Sequence, residues 1–177
     1  MKKGFFCSVC IVFLILAADR ALGWEGVVVK VLDGDSLRVQ REGRLVEIRL
    51  YGIDAPEYRQ AYSNRARQRT RELLYRQTVA VEEKDVDRYG RIVALVSCQG
   101  LLINRELVRS GLAWHYSKYC RSQPLCRELA ALEQGARSAG IGLWADPEPV
   151  APWEWKQRQG SGSRGKTGWF SRFLDWW

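Results

Sequence analysis

Three short runs with the composition of β-strands follow one another near the start of the chain, and they constrain the fold more than any other feature. The first run, WEGVVVKVL (24–32), ends at the turn sequence DGD, and the second, SLRVQRE, ends at EGR. In the second run and in the third, LVEIRLY, every other residue is apolar, which is the period of a half-buried strand. Short strands joined by tight turns predict an antiparallel meander.

The segments that follow predict two more strands and about three helices. A helix is predicted over 60–76, and the runs TVAVEEK and RIVALVS predict strands on either side of DVDRYG. Asn104 is expected to cap a short helix, and a last helix is expected from Pro124 to Gly140. Five short strands with few residues between them favour a small barrel. The predicted fold is therefore α+β and mainly β, a five-stranded OB-fold barrel whose ends the helices cover.

The N-terminal segment has the layout of a secretory signal. Two lysines precede an apolar run from Gly4 to Ala18, and the small residues Ala21 and Gly23 mark a cleavage position. The apolar run is shorter than the roughly 20 residues that a membrane span needs, so an uncleaved anchor is the weaker alternative. We therefore expect residues 1–23 to be a signal peptide and the protein to be secreted or periplasmic.

The composition changes after the predicted barrel domain, which spans residues 24–156. Residues 157–168 include GSGSRGKTG and predict a flexible linker. Residues 169–177, WFSRFLDWW, form an aromatic tail whose apolar side chains share one helical face. This tail is expected to contact a membrane surface or a protein partner, or to fold back onto an apolar patch of its own domain.

The net charge and the cysteine content are weak indicators of function. A net charge of +8 favours a polyanionic partner only slightly over a merely soluble surface.

In an exported protein, the sequence CRSQPLC indicates a disulfide between Cys120 and Cys126, with Cys98 left over. A zinc site is the alternative, and it would need a fourth ligand, for which the chain offers a single histidine, His115. A GxxxxGK[ST] phosphate cradle is absent from the sequence.

Three clusters of charged residues carry the chemistry, and they are DGDS (33–36), RLYGIDAPE (49–57) and DRYGR (87–91). Taken singly, each cluster is ordinary turn chemistry. Taken together, they place Asp35 at the end of the first turn and Asp54 after the third strand, two places that can share one rim of a small barrel. The two carboxylates, together with the backbone carbonyl of Ala55, which precedes a proline and is held extended, predict an oxygen-rich binding site for a hard cation such as Ca²⁺.

The arginines of these clusters predict a phosphate pocket beside the cation. Arg49 lies in an apolar run and needs an anionic partner, and a phosphodiester matches its bidentate fork. The guanidinium of Arg91, just beyond a turn, supplies a second pair of hydrogen-bond donors. Two guanidinium groups and a divalent cation would neutralise the extra charge of a pentacoordinate phosphorane. Glu57 would then orient or deprotonate the attacking water.

The segments VVKVLDGDSLRV, IRLYGIDAPE, DRYGR and ELVRSGLA, in this order, closely resemble the staphylococcal nuclease (thermonuclease-like) family over about 27–144. The resemblance implies an OB-fold nuclease that hydrolyses DNA and RNA with Ca²⁺. Carried over by motif, the implied site consists of the calcium carboxylates Asp35 and Asp54, the phosphate-stabilising Arg49 and Arg91, and Glu57 acting on water.

The resemblance also implies substrate contacts. Arg88 and Tyr89 lie where the family contacts a terminal phosphate. Family members place nucleotide-holding tyrosines after GLA, and the corresponding stretch WHYSKYC offers Trp114, Tyr116 and Tyr119. Two departures stand out, because DGDS has serine where threonine is usual and YRQAYSN lacks a long lysine-rich loop. The shorter loop predicts a different rate and substrate preference.

The predicted function is that of a secreted, Ca²⁺-dependent nuclease, a monomer that cleaves DNA and RNA with little sequence specificity and prefers single strands. The alternative is a non-catalytic nucleic-acid- or protein-binding domain of the same fold. Such domains typically lose active-site residues, whereas all five motif positions are present in this chain. A third hypothesis is that the aromatic tail makes tethering the main role and nuclease activity secondary.

Overall fold

The computed structural model of the protein describes residues 23–164, so almost all of the predicted signal peptide and the aromatic tail 169–177 lie outside the described residues. The strands are β1 (Trp24–Val31), β2 (Ser36–Arg41), β3 (Arg44–Leu50), β4 (Ile53–Asp54), β5 (Thr78–Val86), β6 (Ile92–Cys98), β7 (Leu101–Leu102) and β8 (Trp114–His115). The helices of this part of the chain are α1 (Ser63–Leu74), α2 (Ile103–Arg109), α3 (Gln123–Ser138) and α4 (Pro152–Arg164), with 3₁₀ turns at Ser117–Tyr119 and Gly142–Ala145.

Five of the strands close into a barrel. The antiparallel neighbours are β3–β2, β2–β1, β1–β5 and β5–β6, and a parallel pairing of β3 with β6 closes the circle. In that closing pair Ile48 lies opposite Ile92. The five-stranded OB-fold barrel predicted from the alternating runs is confirmed.

The barrel forms because alternate side chains of its strands point inward. Val28, Val39, Ile48, Val81 and Val96 come from five different strands, and each of their side chains is fully buried. Each such burial contributes about 1.5–3 kcal/mol relative to leaving the side chain exposed. A shift of one residue in any strand would turn its apolar set toward water, so the pattern also determines the register.

Asn104 joins α2 to the barrel instead of capping the helix, so the sequence-based prediction for it is wrong. It lies inside α2 and is fully buried. Its Oδ1 accepts the backbone N–H of Val96 at 3.1 Å, and its Nδ2 donates to the carbonyls of Tyr51 at 2.9 Å and Ala94 at 3.3 Å. The helix starts one residue before Asn104, which leaves the side chain free for these tertiary bonds.

We expect Asn104→Leu to lower the free energy of unfolding by about 2–4 kcal/mol, because the N–H of Val96 and the carbonyl of Tyr51 would be buried without partners. Urea unfolding followed by circular dichroism measures the change. The matched control is Asn64→Leu at an exposed position of α1, for which a change within about 0.5 kcal/mol is expected. Equal stability of the two variants would contradict this role for Asn104.

Helix α3 follows its predicted pattern and carries the disulfide at its start. Proline stands in its first turn, and Leu125 and Leu129 are buried against the core. Cys120 and Cys126 are joined by a disulfide, as the cysteine spacing predicts. The Nδ1 or Nε2 of His115 lies within 4.8 Å of both sulfurs, but those two sulfurs are bonded to each other. The zinc alternative therefore lacks two of its three cysteine ligands, and the third, Cys98, is a free and buried cysteine outside this group.

Helix α4 is a feature that the sequence patterns did not predict. It runs to Arg164, so the first part of the predicted linker 157–168 is helical and the remainder lies outside the described residues. A proline that opens the helix supplies the right backbone angle for the first turn, and each further residue then adds a hydrogen bond to an existing helix. Within residues 23–164, no helix combines the length and the apolar character needed to cross a bilayer.

Candidate active site

The turn DGD is pressed against two other parts of the chain, and this contact assembles the site. A Cβ added to Gly34 would lie 2.6 Å from the Cβ of Ala55 and 2.8 Å from that of Ala66, so only glycine fits there. The Thr70 hydroxyl of α1 donates to the carbonyl of Gly34 at 2.6 Å. The residue after this glycine is Asp35, which is thereby brought to the end of β4.

Asp35 is almost fully buried, and its carboxylate connects the first turn to the segment after β4. Its Oδ2 accepts the backbone N–H of Ala55 at 2.5 Å, and its Oδ1 accepts the hydroxyl of Ser36 at 3.3 Å. The serine that replaces the usual threonine in DGDS therefore makes a bond through its hydroxyl. Ala55 was predicted to offer its carbonyl to a cation, and the structure shows its N–H bonded to Asp35.

Arg49 bridges the two aspartates that the sequence assigned to the cation. Its Nη1 lies 2.6 Å from Asp35 Oδ1, and its Nη2 donates to Asp54 Oδ1. The sequence suggested a phosphodiester as the anion for this guanidinium, whereas here its partners are carboxylates of the protein. Burial acts to lower the pKa of Arg49, but the negative charges of Asp35 and Asp54 outweigh it and raise the pKa above the usual range.

The contacts with Arg49 leave one carboxylate oxygen of the aspartates, Asp54 Oδ2, able to bind a further positive charge. Asp54 Oδ2 is buried and has no hydrogen-bond partner among residues 23–164. Burial raises the pKa of Asp35 and of Asp54, and the opposing charge of Arg49 does not cancel that effect. A buried carboxylate oxygen without a partner is costly. This cluster of hard oxygen atoms therefore fits a hard divalent cation.

Glu57 lies at the edge of the cluster beside a lysine that no sequence pattern identified. The Nζ of Lys156, from α4, is 2.8 Å from Glu57 Oε1 and 3.6 Å from Asp54 Oδ1. Burial acts to lower the pKa of Lys156, but the charges of Asp54 and Glu57 outweigh it and raise that pKa. The lysine stands in a segment without a recognisable motif, and only the docking of α4 brings it here.

Arg91, the second guanidinium predicted to bind phosphate, lies beside the β3–β6 pairing that closes the barrel. It forms an ion pair with Asp87 and not with Asp35 or Asp54. Its Nε and Nη2 each lie 2.7 Å from Asp87 Oδ2, the one carboxylate within 4 Å of it in the described part of the chain. Burial acts to raise the pKa of Asp87, and the hydrogen bonds from Arg91 and from neighbouring amides outweigh it and lower that pKa. Because Ile92 pairs with Ile48 of β3, Arg91 stands beside the strand that carries Arg49.

The predicted phosphate contacts at the next turn are exposed. Tyr89 is 69% exposed, and the Arg88 guanidinium donates to its hydroxyl at 2.7 Å while lying 4.8 Å from the centre of its ring. A shallow depression beside Arg91 is lined by Tyr89, Gly90 and Glu47. The roles of Arg88 and Tyr89 in binding substrate stay predictions.

The aromatic residues after GLA differ in exposure, from the buried Trp114 through the half-buried Tyr116 to the exposed Tyr119. Trp114 packs edge-on against Trp144 at 4.4 Å and is only 7% exposed, so little of its ring is accessible to a substrate. Its strand β8 pairs with β4, which turns the indole into the interior. Tyr116 instead stacks on Trp153 with ring centres 5.0 Å apart, and Tyr119, 54% exposed, contacts Tyr116 edge-on. The roles of these two tyrosines in binding substrate stay predictions.

Comparison with known proteins identifies a matching family and similar proteins for this chain. Residues 47–146 match the family model described as staphylococcal nuclease homologue. The chain is 39% identical over 155 residues to a micrococcal nuclease of Shigella flexneri, covering 82% of this chain and 88% of that protein. It is 41% identical over 146 residues to an uncharacterized endonuclease of Escherichia coli, covering 82% and 90%. A similar protein of Haemophilus influenzae, also an uncharacterized endonuclease, is 34% identical over 159 residues, covering 89% and 87%.

Proposed function

The chain belongs to the staphylococcal nuclease family, and on that premise we propose that it uses Ca²⁺ to hydrolyse DNA and RNA with little sequence specificity. It is a nuclease that hydrolyses phosphodiester bonds, and its family generally depends on a metal. The observation that carries the proposal is the meeting of Asp35, Arg49, Asp54 and Glu57 at one place, with Asp54 Oδ2 lacking a partner among the described residues.

We propose that Asp35, Asp54 and the carbonyl of Ala55 hold the cation. When bound, Ca²⁺ supplies positive charge that polarises the phosphodiester and offsets the charge that develops as the phosphorane forms. The hard oxygen atoms of this set suit Ca²⁺ better than a softer metal. Binding would also give the buried Asp54 Oδ2 the partner it lacks within the described residues.

The other side chains act on the substrate and on water. Glu57, one third exposed at the edge of the cluster, accepts a proton from the attacking water. Arg49 and Arg91 donate hydrogen bonds to the phosphate oxygens, on which negative charge accumulates in the transition state. Arg91 must exchange its contact with Asp87 for the phosphate, whereas Arg49 remains beside the aspartates while it donates.

Binding is expected to be driven mainly by phosphate contacts and to weaken steeply with salt, because cations released from the nucleic acid dominate such affinities. The net charge of +8 is consistent with that expectation. Single strands are the preferred substrate in this proposal, since the exposed Tyr119, beside the half-buried Tyr116, offers a ring on which an unpaired base can stack.

We also propose that the protein acts outside the cytoplasm as a monomer. Residues 1–23 have the layout of a secretory signal, and the Cys120–Cys126 disulfide suits an oxidising compartment. The aromatic tail 169–177 would contact a membrane surface or a protein partner. Deleting residues 160–177 and following the fractionation of the protein tests the role of the tail.

We expect the purified protein to cleave a single-stranded DNA oligonucleotide with Ca²⁺ present and to lose on the order of 10³-fold in rate with a chelator, because a bound cation supplies several kcal/mol of transition-state stabilisation. Gel analysis of end-labelled substrate measures the rate. The control restores Ca²⁺ after chelation and must recover cleavage. Equal rates with Ca²⁺ and with chelator would contradict the metal requirement.

A further inference from the structure

Helix α4 is packed into the site, although it lies beyond the matched residues 47–146. Ala151, just before the helix, is 3% exposed. Trp153 in the first turn stacks on Tyr116, with the planes 4° apart, and packs edge-on against Trp114 at 5.7 Å. Because Trp114 is paired with Asp54 in the β4–β8 ladder, this packing couples the position of α4 to that of the aspartate.

A buried glutamine makes a second connection between α4 and the loop that carries Glu57. The side chain of Gln60 is only 6% exposed. Its Oε1 accepts the backbone N–H of Glu57 at 2.9 Å, and its Nε2 donates to the carbonyl of Val150 at 2.6 Å. Both the backbone of Glu57 and the start of α4 are thus held by one residue that cannot move without leaving polar groups unpaired.

These two anchors place the ammonium of Lys156 against one oxygen of Glu57. The distance of 2.8 Å from Nζ to Oε1 is that of a charge-assisted hydrogen bond. A long side chain such as glutamate loses rotamer freedom when one of its oxygens is held in this way. The neighbouring carboxylate of Asp54, 3.6 Å from the same ammonium, keeps the lysine on this side of the cluster.

We propose that Lys156 is a positioning residue for Glu57, which orients the carboxylate so that its other oxygen faces the water to be deprotonated. This inference rests on the proposed function, in which Glu57 accepts that proton. The amine does not itself contact the reacting atoms in this arrangement. Its contribution is orientation, which matters because proton transfer requires a hydrogen bond of about 2.6–3.2 Å between the base and its substrate.

The test is Lys156→Met, which keeps the length of the stem and removes the ammonium. We expect kcat on single-stranded DNA to fall about 10-fold to 100-fold with KM little changed, the usual effect of removing a residue that orients another. Lys30→Met, at an exposed position of β1, removes the same charge and is expected to keep wild-type kcat. Lys156→Arg retains a cationic donor and is expected to recover most of the loss. Thermal unfolding of each variant reports whether it folds.

A double-mutant cycle separates positioning from other roles of the amine. In a Glu57→Gln background, Lys156→Met is expected to change kcat less than about twofold, because a residue that acts through Glu57 has nothing left to orient. A full loss persisting in that background would overturn the proposal and indicate direct contact with phosphate. A rise in activity on Lys156→Met would also overturn it and indicate that the ammonium competes with the cation.

Different results would overturn this inference and the proposed function. A folded wild-type protein that cleaves neither DNA nor RNA with Ca²⁺ overturns both. An active wild type, together with a Lys156→Met variant that matches Lys30→Met in kcat, overturns only the role assigned to Lys156.

Discussion

Glu57→Gln is expected to lower kcat on single-stranded DNA by about 10³-fold, within the range of 10²–10⁴ that general acid–base catalysis supplies. The substitution keeps the size of the side chain and can still accept a hydrogen bond from Lys156. It cannot take up a proton from water. The loss should therefore appear in the chemical step and not in folding, because Glu57 is one third exposed and its environment tolerates a neutral amide.

Single-turnover cleavage with enzyme in excess isolates that chemical step. The matched control is Glu72→Gln, an exposed glutamate of α1 whose carboxylate contacts Arg69 at 3.8 Å and Gln68 at 3.0 Å. This control is expected to retain wild-type cleavage and wild-type thermal unfolding. A Glu57→Gln variant with activity within about threefold of the control would remove Glu57 from the mechanism, since no general base contributes so little.

Arg49→Lys is expected to lower kcat about 10²-fold to 10³-fold and also to destabilise the protein. The guanidinium contacts Asp35 through one nitrogen and Asp54 through the other, and an ammonium cannot make both contacts with the same geometry. Loss of one donor to the developing phosphorane accounts for the rate effect. Loss of a charged hydrogen bond to a buried carboxylate is expected to lower the free energy of unfolding by about 1.5–3 kcal/mol.

Comparison with Arg91→Lys tests the difference between the two guanidinium groups. Arg91 pairs with Asp87 and not with the buried aspartates within the described residues, so Arg91→Lys should lower activity and leave stability nearly unchanged. Arg38→Lys, an exposed change in β2 beside Glu47, is the control for both measurements. Identical stability of Arg49→Lys and Arg38→Lys, measured by urea unfolding, would contradict the bridging role of Arg49.

Much of the architecture was predictable because it depends on local patterns. The two-residue period of β2 and β3 reports which side chains face the core, and DGD and EGR report where the chain turns. These signals also place Asp35 and Asp54 at element ends, where small barrels bring side chains together. The structure brings the two within reach of a single guanidinium, that of Arg49.

The sequence patterns were least informative for residues whose neighbours are distant in the sequence. Asn104 has the composition of a helix cap, but its three partners lie on β6 and just after β3. Trp114 occupies a stretch that suggested substrate contact, but its strand pairing turns the ring toward Trp144. Neither outcome follows from propensity, because hydrogen bonding and packing across the fold override it.

The sequence by itself indicated the strands of the barrel, the turns that carry Asp35 and Asp54, and the cysteine pair Cys120 and Cys126. Each of these depends on a pattern within a few residues. Only the tertiary structure decided that Arg49 would pair with carboxylates and that Lys156 would reach Glu57. The contact of Lys156 depends on where α4 docks, and that docking buries Ala151 and Trp153 against Trp114 and Trp144, an apolar burial that no local sequence pattern reports.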